Sequence, residues 1–326
     1  MDDLRPSRDA RPEPVVRWLL DGDPAIRWQV LRDLTDASAE AVTAERARVA
    51  VEGWGARLLA LQCPDGTWGG VAWNHGWDST MHVLWLLRLL GLDPESAEAR
   101  RAVGRVLDEV TWRGAGPPEC DDHRFFEGES EPCINGQVAT AGAYFGVDVG
   151  GLVERLLGEQ LADGGWNCDA PDGSTRSSFN TTICVLEALL AYERAAGDRP
   201  EATAARLRGE AYLLERGLFR RRSTGEAIAR DRKSGADWTR FAFPTWWHYD
   251  VLRGLEYLRD AGVTPDGRLA EAVALVAAKR DGEGLWPLEV QYDGAMPVNL
   301  GEREGAPSRW NTLRALRVLD WYEAGG

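Results

Sequence analysis

Five short stretches of this chain mix side chains that donate, accept or ligate with aromatic rings, each just before a segment of helical periodicity. They hold Asn74, His75 and Asp78; Glu131, Cys133 and Asn135; Arg176, Phe179 and Asn180; Trp246, Trp247, His248 and Asp250; and Arg309, Trp310 and Asn311. Helix N-termini carry spare N–H groups and partial positive charge, so acidic side chains or a bound anion fit there. Recurrence at equivalent places in successive segments points to one shared pocket. A plainer alternative stands beside it: Asp78, Ser79 and Ser308 suit helix capping, and the aromatic rings suit a filled core. Cys120-x-x-His123 has the spacing of half a metal site. Fifteen tryptophans in an acidic chain also fit a carbohydrate-active barrel, in which paired carboxylates flank a sugar and rings stack on it.

The elements that must position these residues read as helices. Apolar residues recur at three- and four-residue spacing in 81–90, 181–192 and 312–322, and strand patterns are nearly absent. Gln62-Cys63-Pro64-Asp65-Gly66-Thr67-Trp68 matches Gln160-Leu161-Ala162-Asp163-Gly164-Gly165-Trp166. Asp281-Gly282-Glu283-Gly284-Leu285-Trp286 reads as a looser third copy with two residues inserted. Asp-Gly turns the chain, because glycine accepts the positive φ of a tight reversal. The spacing places degenerate copies near Phe125-Phe126 and 222–225, at a period of roughly 50–60 residues that corresponds to one helical hairpin each. With the pair at 15–20 and 24–34, about six hairpins result. Several of the second helices carry apolar residues on most faces, as expected of an inner ring packed on both sides, and the first helices carry one apolar stripe and a charged face. The expectation is an all-α (α/α) toroid with inner and outer helical rings, a single domain over 13–326 preceded by a disordered arm at 1–12.

With 44% hydrophobic residues the chain can bury a real core, and its net charge of −14 argues against nucleic acid and anionic membranes as partners. The charged, proline-spaced start lacks the apolar core of a signal peptide. The most apolar run, 83–92, is interrupted by Arg88 and too short to cross a bilayer. A cytoplasmic protein is expected. Five cysteines do not form the pattern of a disulfide framework; Cys63 and Cys184 fall within apolar helical patterns and read as structural.

The three turn copies resemble the QW motifs of the terpenoid cyclase and protein prenyltransferase superfamily over roughly residues 50–324. The stretches DGGWNCD, SSFNTT, TRFAFPTWWHYDVLRGLEYL and PSRWNTLRALRVLDW further resemble bacterial single-domain squalene-cyclase-like proteins. The resemblance implies that Gln160 ends an outer helix and that Trp166 packs between outer helices as a structural ring. It also implies a cavity for an isoprenoid or similar hydrophobic small molecule, lined by His75, Asn180, Trp246, Trp247, His248, Arg309 and Trp310. Proton-initiated cyclisation or isomerisation would then need an acid, for which Asp78, Glu131 and Asp250 are the candidates. The superfamily's DxDD acid motif is absent, since Asp121-Asp122 lacks its spacing, and no DDxxD motif occurs. On the prenyltransferase side the resemblance implies zinc as cofactor. Glu131-x-Cys133 stands in place of that family's Asp-x-Cys pair, and Asn180-Thr181 where its histidine would be, leaving Cys168 or His248 to complete the set. A barrel that binds a ligand or a protein without chemistry is the remaining alternative.

Overall fold

The computed structural model describes residues 13–228, 235 and 237–325, so the arm expected at 1–12 lies outside the described residues. Among them the secondary structure is helical, with only isolated β-bridges between loops. The helices are α1 (Glu13–Leu20), α2 (Pro24–Leu34), α3 (Ala39–Ala47), α4 (Gly53–Ala60), α5 (Thr80–Leu90), α6 (Ala97–Glu109) and α7 (Pro132–Tyr144). They continue with α8 (Gly150–Gly158), α9 (Phe179–Ala196), α10 (Pro200–Leu214), α11 (Val251–Asp260), α12 (Ala270–Ala278) and α13 (Arg309–Gly325).

From α5 on every second helix joins an inner ring, which α2 completes. Neighbours pack in the order α5, α7, α9, α11, α13 and α2. The circle closes where the Trp28 ring N–H of α2 donates to the Leu90 carbonyl at 2.9 Å and the Gln29 amide to Leu89 at 3.1 Å. Six hairpins therefore form a closed toroid, with α1, α4, α6, α8, α10 and α12 outside and α3 as an additional helix on α2. The inner helices are buried on most faces because they are covered on both sides; in α7 every residue from Pro132 to Ala143 is buried, and α11 and α13 bury Arg253, Arg314 and Arg317 along with their apolar residues. The small residues of α7 set the distance to α9. A Cβ on Gly136 would stand 2.6 Å from the Cys184 carbonyl oxygen, so only glycine allows this approach.

The turn copies act as clamps between the rings. Trp68, Trp166 and Trp286 are almost completely buried. Each ring N–H donates at 2.7 Å to a carbonyl of the preceding outer helix, that of Leu58, Leu156 or Val276. Each backbone N–H donates to a threonine hydroxyl opening the next inner helix, Thr80, Thr182 or Thr312. Gln62 and Gln160 donate both to their own turn, at Gly66 and Gly164, and to the next outer helix, at Ala102 and Ala205. Sequence identity thus becomes a fixed set of bonds.

These bonds correct the reading of the third copy. The N–H groups of Cys63, Leu161 and Asp281 bond the carbonyls of Thr67, Gly165 and Leu285, and Gly66, Gly164 and Gly284 share φ of +81°, +97° and +87°. Arg280 therefore stands where Gln62 and Gln160 do, and no residue is inserted. The Asp281-Gly282 pair misleads because the reversal is made at Gly284. At the intermediate positions no tryptophan follows the turn; near Phe125 the Trp112 ring donates to the Phe125 carbonyl at 2.9 Å instead. Among the described residues no helix is long and apolar enough to cross a membrane.

Candidate ligand cavity with a thiol and carboxylate cluster

A cavity of about 840 Å³ opens at the N-terminal ends of α7 and α9. Its walls are the rings of Phe179, Tyr212, Trp238 and Trp247 with Ile134 and Ile228, and its rim carries Arg176, Arg216, Arg220 and Arg221. The wall formed by residues 246–248 is fixed from behind. Arg253, 4% exposed, donates to the Trp246 and His248 carbonyls at 2.8 and 2.7 Å and makes a bidentate pair with Glu187 of α9 at 2.7 and 2.9 Å. Asn180 ties the same segment to α9 by accepting the Tyr249 N–H at 2.7 Å. His248 is stacked between Trp247 and Tyr292, with ring centroids 3.8 and 3.6 Å away. Burial pushes the Cys184 thiol up to about 12, which leaves it a packing residue.

At the start of α7 three ligating groups converge. Glu131, Cys133 and Cys168 each place a ligand atom within 4.8 Å of the others, and all three line the cavity. The two sulfurs are 3.0 Å apart, and Cys133 Sγ lies 3.7 Å from a Glu131 carboxylate oxygen. The hydrogen bond with the Cys168 thiol, and then burial, push the Cys133 thiol well above its ordinary range, since burial disfavours the charged form. Cys168 comes from the loop before α9, and its sulfur stands 3.4 Å from the Thr181 hydroxyl. Cys120 and His123 do not join a comparable group among the described residues; a His123 ring nitrogen pairs instead with the Gly128 carbonyl at 3.0 Å.

Gln137 is the polar group that sequence reasoning missed. It is 1% exposed and lines the cavity, and among the described residues neither its amide nitrogen nor its amide oxygen has a partner. An orphaned buried amide costs about 1–3 kcal/mol for each unpaired group, so it marks a place where a polar atom of a ligand belongs. The available signal was a lone glutamine in a helix whose other residues, Asn135 and Tyr144 apart, are small or apolar.

Of the residues expected at the site, His75, Glu131, Cys133, Cys168, Asn180, Trp247 and His248 line this cavity, and Asp78, Trp246, Asp250, Arg309 and Trp310 do not. Asp78 accepts from the Asn74 amide at 2.9 Å on the loop before α5. Asp250 is the N-cap of α11, 1% exposed, and accepts the N–H groups of Arg253 and Ala242 at 2.7 and 3.2 Å. Burial raises its pKa although Arg314 stands 3.9 Å away. Trp246 stacks on Trp77 at 4.9 Å, and Trp310 on Phe243 at 4.2 Å. Arg309 lies over the Trp18 ring and donates to the Trp18 carbonyl. The physical reason is the segment 285–308, which crosses the starts of α11 and α13 through bridges between Ala242 and Val290 and between Pro287 and Pro307. Equivalent repeat positions are thereby divided between an open and a covered side.

No protein-family model matches the chain, and no curated protein does. Among solved structures it is similar to a protein from Actinoplanes, with 16% identity and a TM-score of 0.45, covering 96% of this chain and 98% of that one. It is also similar to the type II terpene cyclase MstE from Scytonema, with 18% identity, a TM-score of 0.43, and 92% and 87% of the two chains covered. A variant of that cyclase in complex with geranylgeranyl dihydroxybenzoate matches at 17% identity and a TM-score of 0.42, over 93% and 88%.

Proposed function

We propose that the 840 Å³ cavity binds a hydrophobic small molecule of isoprenoid type and that Glu131, Cys133 and Cys168 hold a zinc ion at its wall. The observation that carries the ligand reading is the orphaned amide of Gln137 facing a cavity with aromatic walls. Apolar pockets with a few convergent polar groups are the usual form of small-molecule sites, and the isoprenoid class follows from the resemblance of the turn copies. Phe179, Trp238 and Trp247 would hold the apolar body and exclude water, and Gln137 would orient a polar end.

Zinc suits the donor set. Two thiols and a carboxylate are its preferred ligands, and three protein ligands leave a fourth position open, as in catalytic zinc sites. His248 lines the same cavity. When bound, zinc would supply a Lewis acid and keep both sulfurs as thiolates. This reading is favoured over proton-initiated chemistry, which needs an acid in a dry pocket. Glu131 is exposed at the mouth, and the buried Asp250 already caps α11.

Two experiments separate these parts. Elemental analysis of protein expressed with added zinc should find stoichiometric metal, lost in Cys133→Ser, with Cys133 and Cys168 alkylating only after chelation. Absence of zinc from the wild type would end the metal reading and leave the ligand reading untouched. For the ligand, farnesol titrated against tryptophan fluorescence should bind the wild type and bind Gln137→Leu about tenfold more weakly. The same substitution should raise the stability of the ligand-free protein by about 1–3 kcal/mol, since it removes unpaired groups from an apolar helix. A variant that melts earlier and binds farnesol normally would show Gln137 to be core.

A further inference from the structure

Where the inner helices end, on the opposite side of the ring, lies a second cavity of about 430 Å³. In a chain of net charge −14 its lining holds eight arginines against three carboxylates, Glu187, Glu256 and Asp260. Helix C-termini account for part of this, because their free carbonyls attract cations. Arg46 bonds the Gly91 carbonyl, and Arg194 the Asp260 carbonyl. Deeper in, Arg253 is taken up by Glu187, and Arg314 by Glu256 and the Ala242 carbonyl.

Two deep arginines remain under-satisfied. Arg88 reaches Glu187 only at 3.9 Å. Arg317, 6% exposed, pairs with Asp33, which also serves Arg32, and donates to the Gln29 amide oxygen at 2.8 Å, leaving its Nε as the unmet donor among the described residues. The Arg88 Nε likewise has no acceptor among them. Burial lowers the pKa of both, with repulsion from Arg253 added at Arg88, and from Arg259 and Arg32 at Arg317, which falls to about 10 even with Asp33 beside it. Aromatic faces hold the guanidinium planes in place: Arg32 and Arg46 lie on Trp28, and Arg88 and Arg253 on Trp85.

We propose that this second cavity binds a compact, multiply charged small molecule bearing phosphate groups. Surplus positive charge in a confined, largely buried space is costly unless an anion neutralises it, and guanidinium forks fit phosphate oxygens two at a time. The lining is richer in charged groups than that of the aromatic cavity at the other end, which suits a compact anionic ligand.

The test is calorimetric titration with inorganic pyrophosphate at physiological ionic strength, alongside thermal melting. The wild type should bind and melt higher with pyrophosphate present. Arg88→Gln and Arg194→Gln should each weaken binding about tenfold or more, and Arg176→Gln, on the rim of the first cavity, should leave it unchanged. Arg194 is exposed at the mouth, so its variant keeps the test open if Arg88→Gln does not fold. Absence of binding at millimolar pyrophosphate would overturn the assignment. So would a loss that follows Arg176→Gln, or tighter binding of citrate than of pyrophosphate.

Discussion

Trp166→Ala should destabilise the protein by about 3–5 kcal/mol, the range for removing a fully buried aromatic ring. The ring is 0% exposed, and it also satisfies the Leu156 carbonyl, which would be left without its indole donor at the end of α8. Urea unfolding checks this, and Trp166→Phe divides the effect. Phenylalanine keeps most of the packing and loses the indole hydrogen bond, so it should cost clearly less than alanine. An alanine variant with unchanged stability would overturn the clamp described for the three turns. Binding of farnesol per folded molecule should be preserved, since Trp166 does not line the cavity.

Glu187→Ala should cost a similar amount, about 3–5 kcal/mol, because it leaves the buried Arg253 without its bidentate partner. Unlike Trp166, this residue should also matter to the ligand site. Arg253 holds the Trp246 and His248 carbonyls, so loosening it should weaken farnesol binding through the wall formed by 246–248. The pair also has a pH signature. Burial would raise the Glu187 carboxyl, but Arg253 and then Arg88 overcome this and hold it below its ordinary 4.5. A depressed folded pKa adds stability that is present above 4.5 and is lost as pH falls through the folded value. Wild-type stability should therefore drop more steeply on the acid side than that of Glu187→Ala. Parallel acid limbs would mean that the pair contributes no net electrostatic stabilisation.

Much of the fold was legible because its signals are local. Apolar spacing of three and four residues marks helices, apolar residues on most faces mark inner helices such as α5 and α9, and a repeated turn sequence marks the hairpins. The clamp at Trp68 and Trp166 is equally local, joining a ring N–H to a carbonyl ten residues earlier in the chain. Glu131, Cys133 and Cys168 are singled out through the resemblance to the prenyltransferase ligand pattern, with His248 as the alternative to Cys168, and the fold brings the ligand atoms of the first three within 4.8 Å of one another. The third turn was misaligned for the opposite reason: Asp281-Gly282 looks like the turn, and only backbone hydrogen bonds show that Gly284 makes it.

Which residues share a cavity was not written in any one segment. Helix starts along the chain look equivalent, but the crossing segment 285–308 lies against Trp246 before α11 and against the start of α13, while Trp247, His248 and the starts of α7 and α9 stay open to the cavity. Asp250 has the residue type of an acid catalyst and the position of a helix cap, and only its partners decide between them. The arginine cavity is drawn from residues between 32 and 317 on helices that meet only when α2 closes the ring against α5 and α13. Helices and turns were determined by the sequence because neighbours in the chain satisfy them. The two cavities were decided by tertiary structure, since a cavity is defined by which distant surfaces ring closure brings together and which it covers.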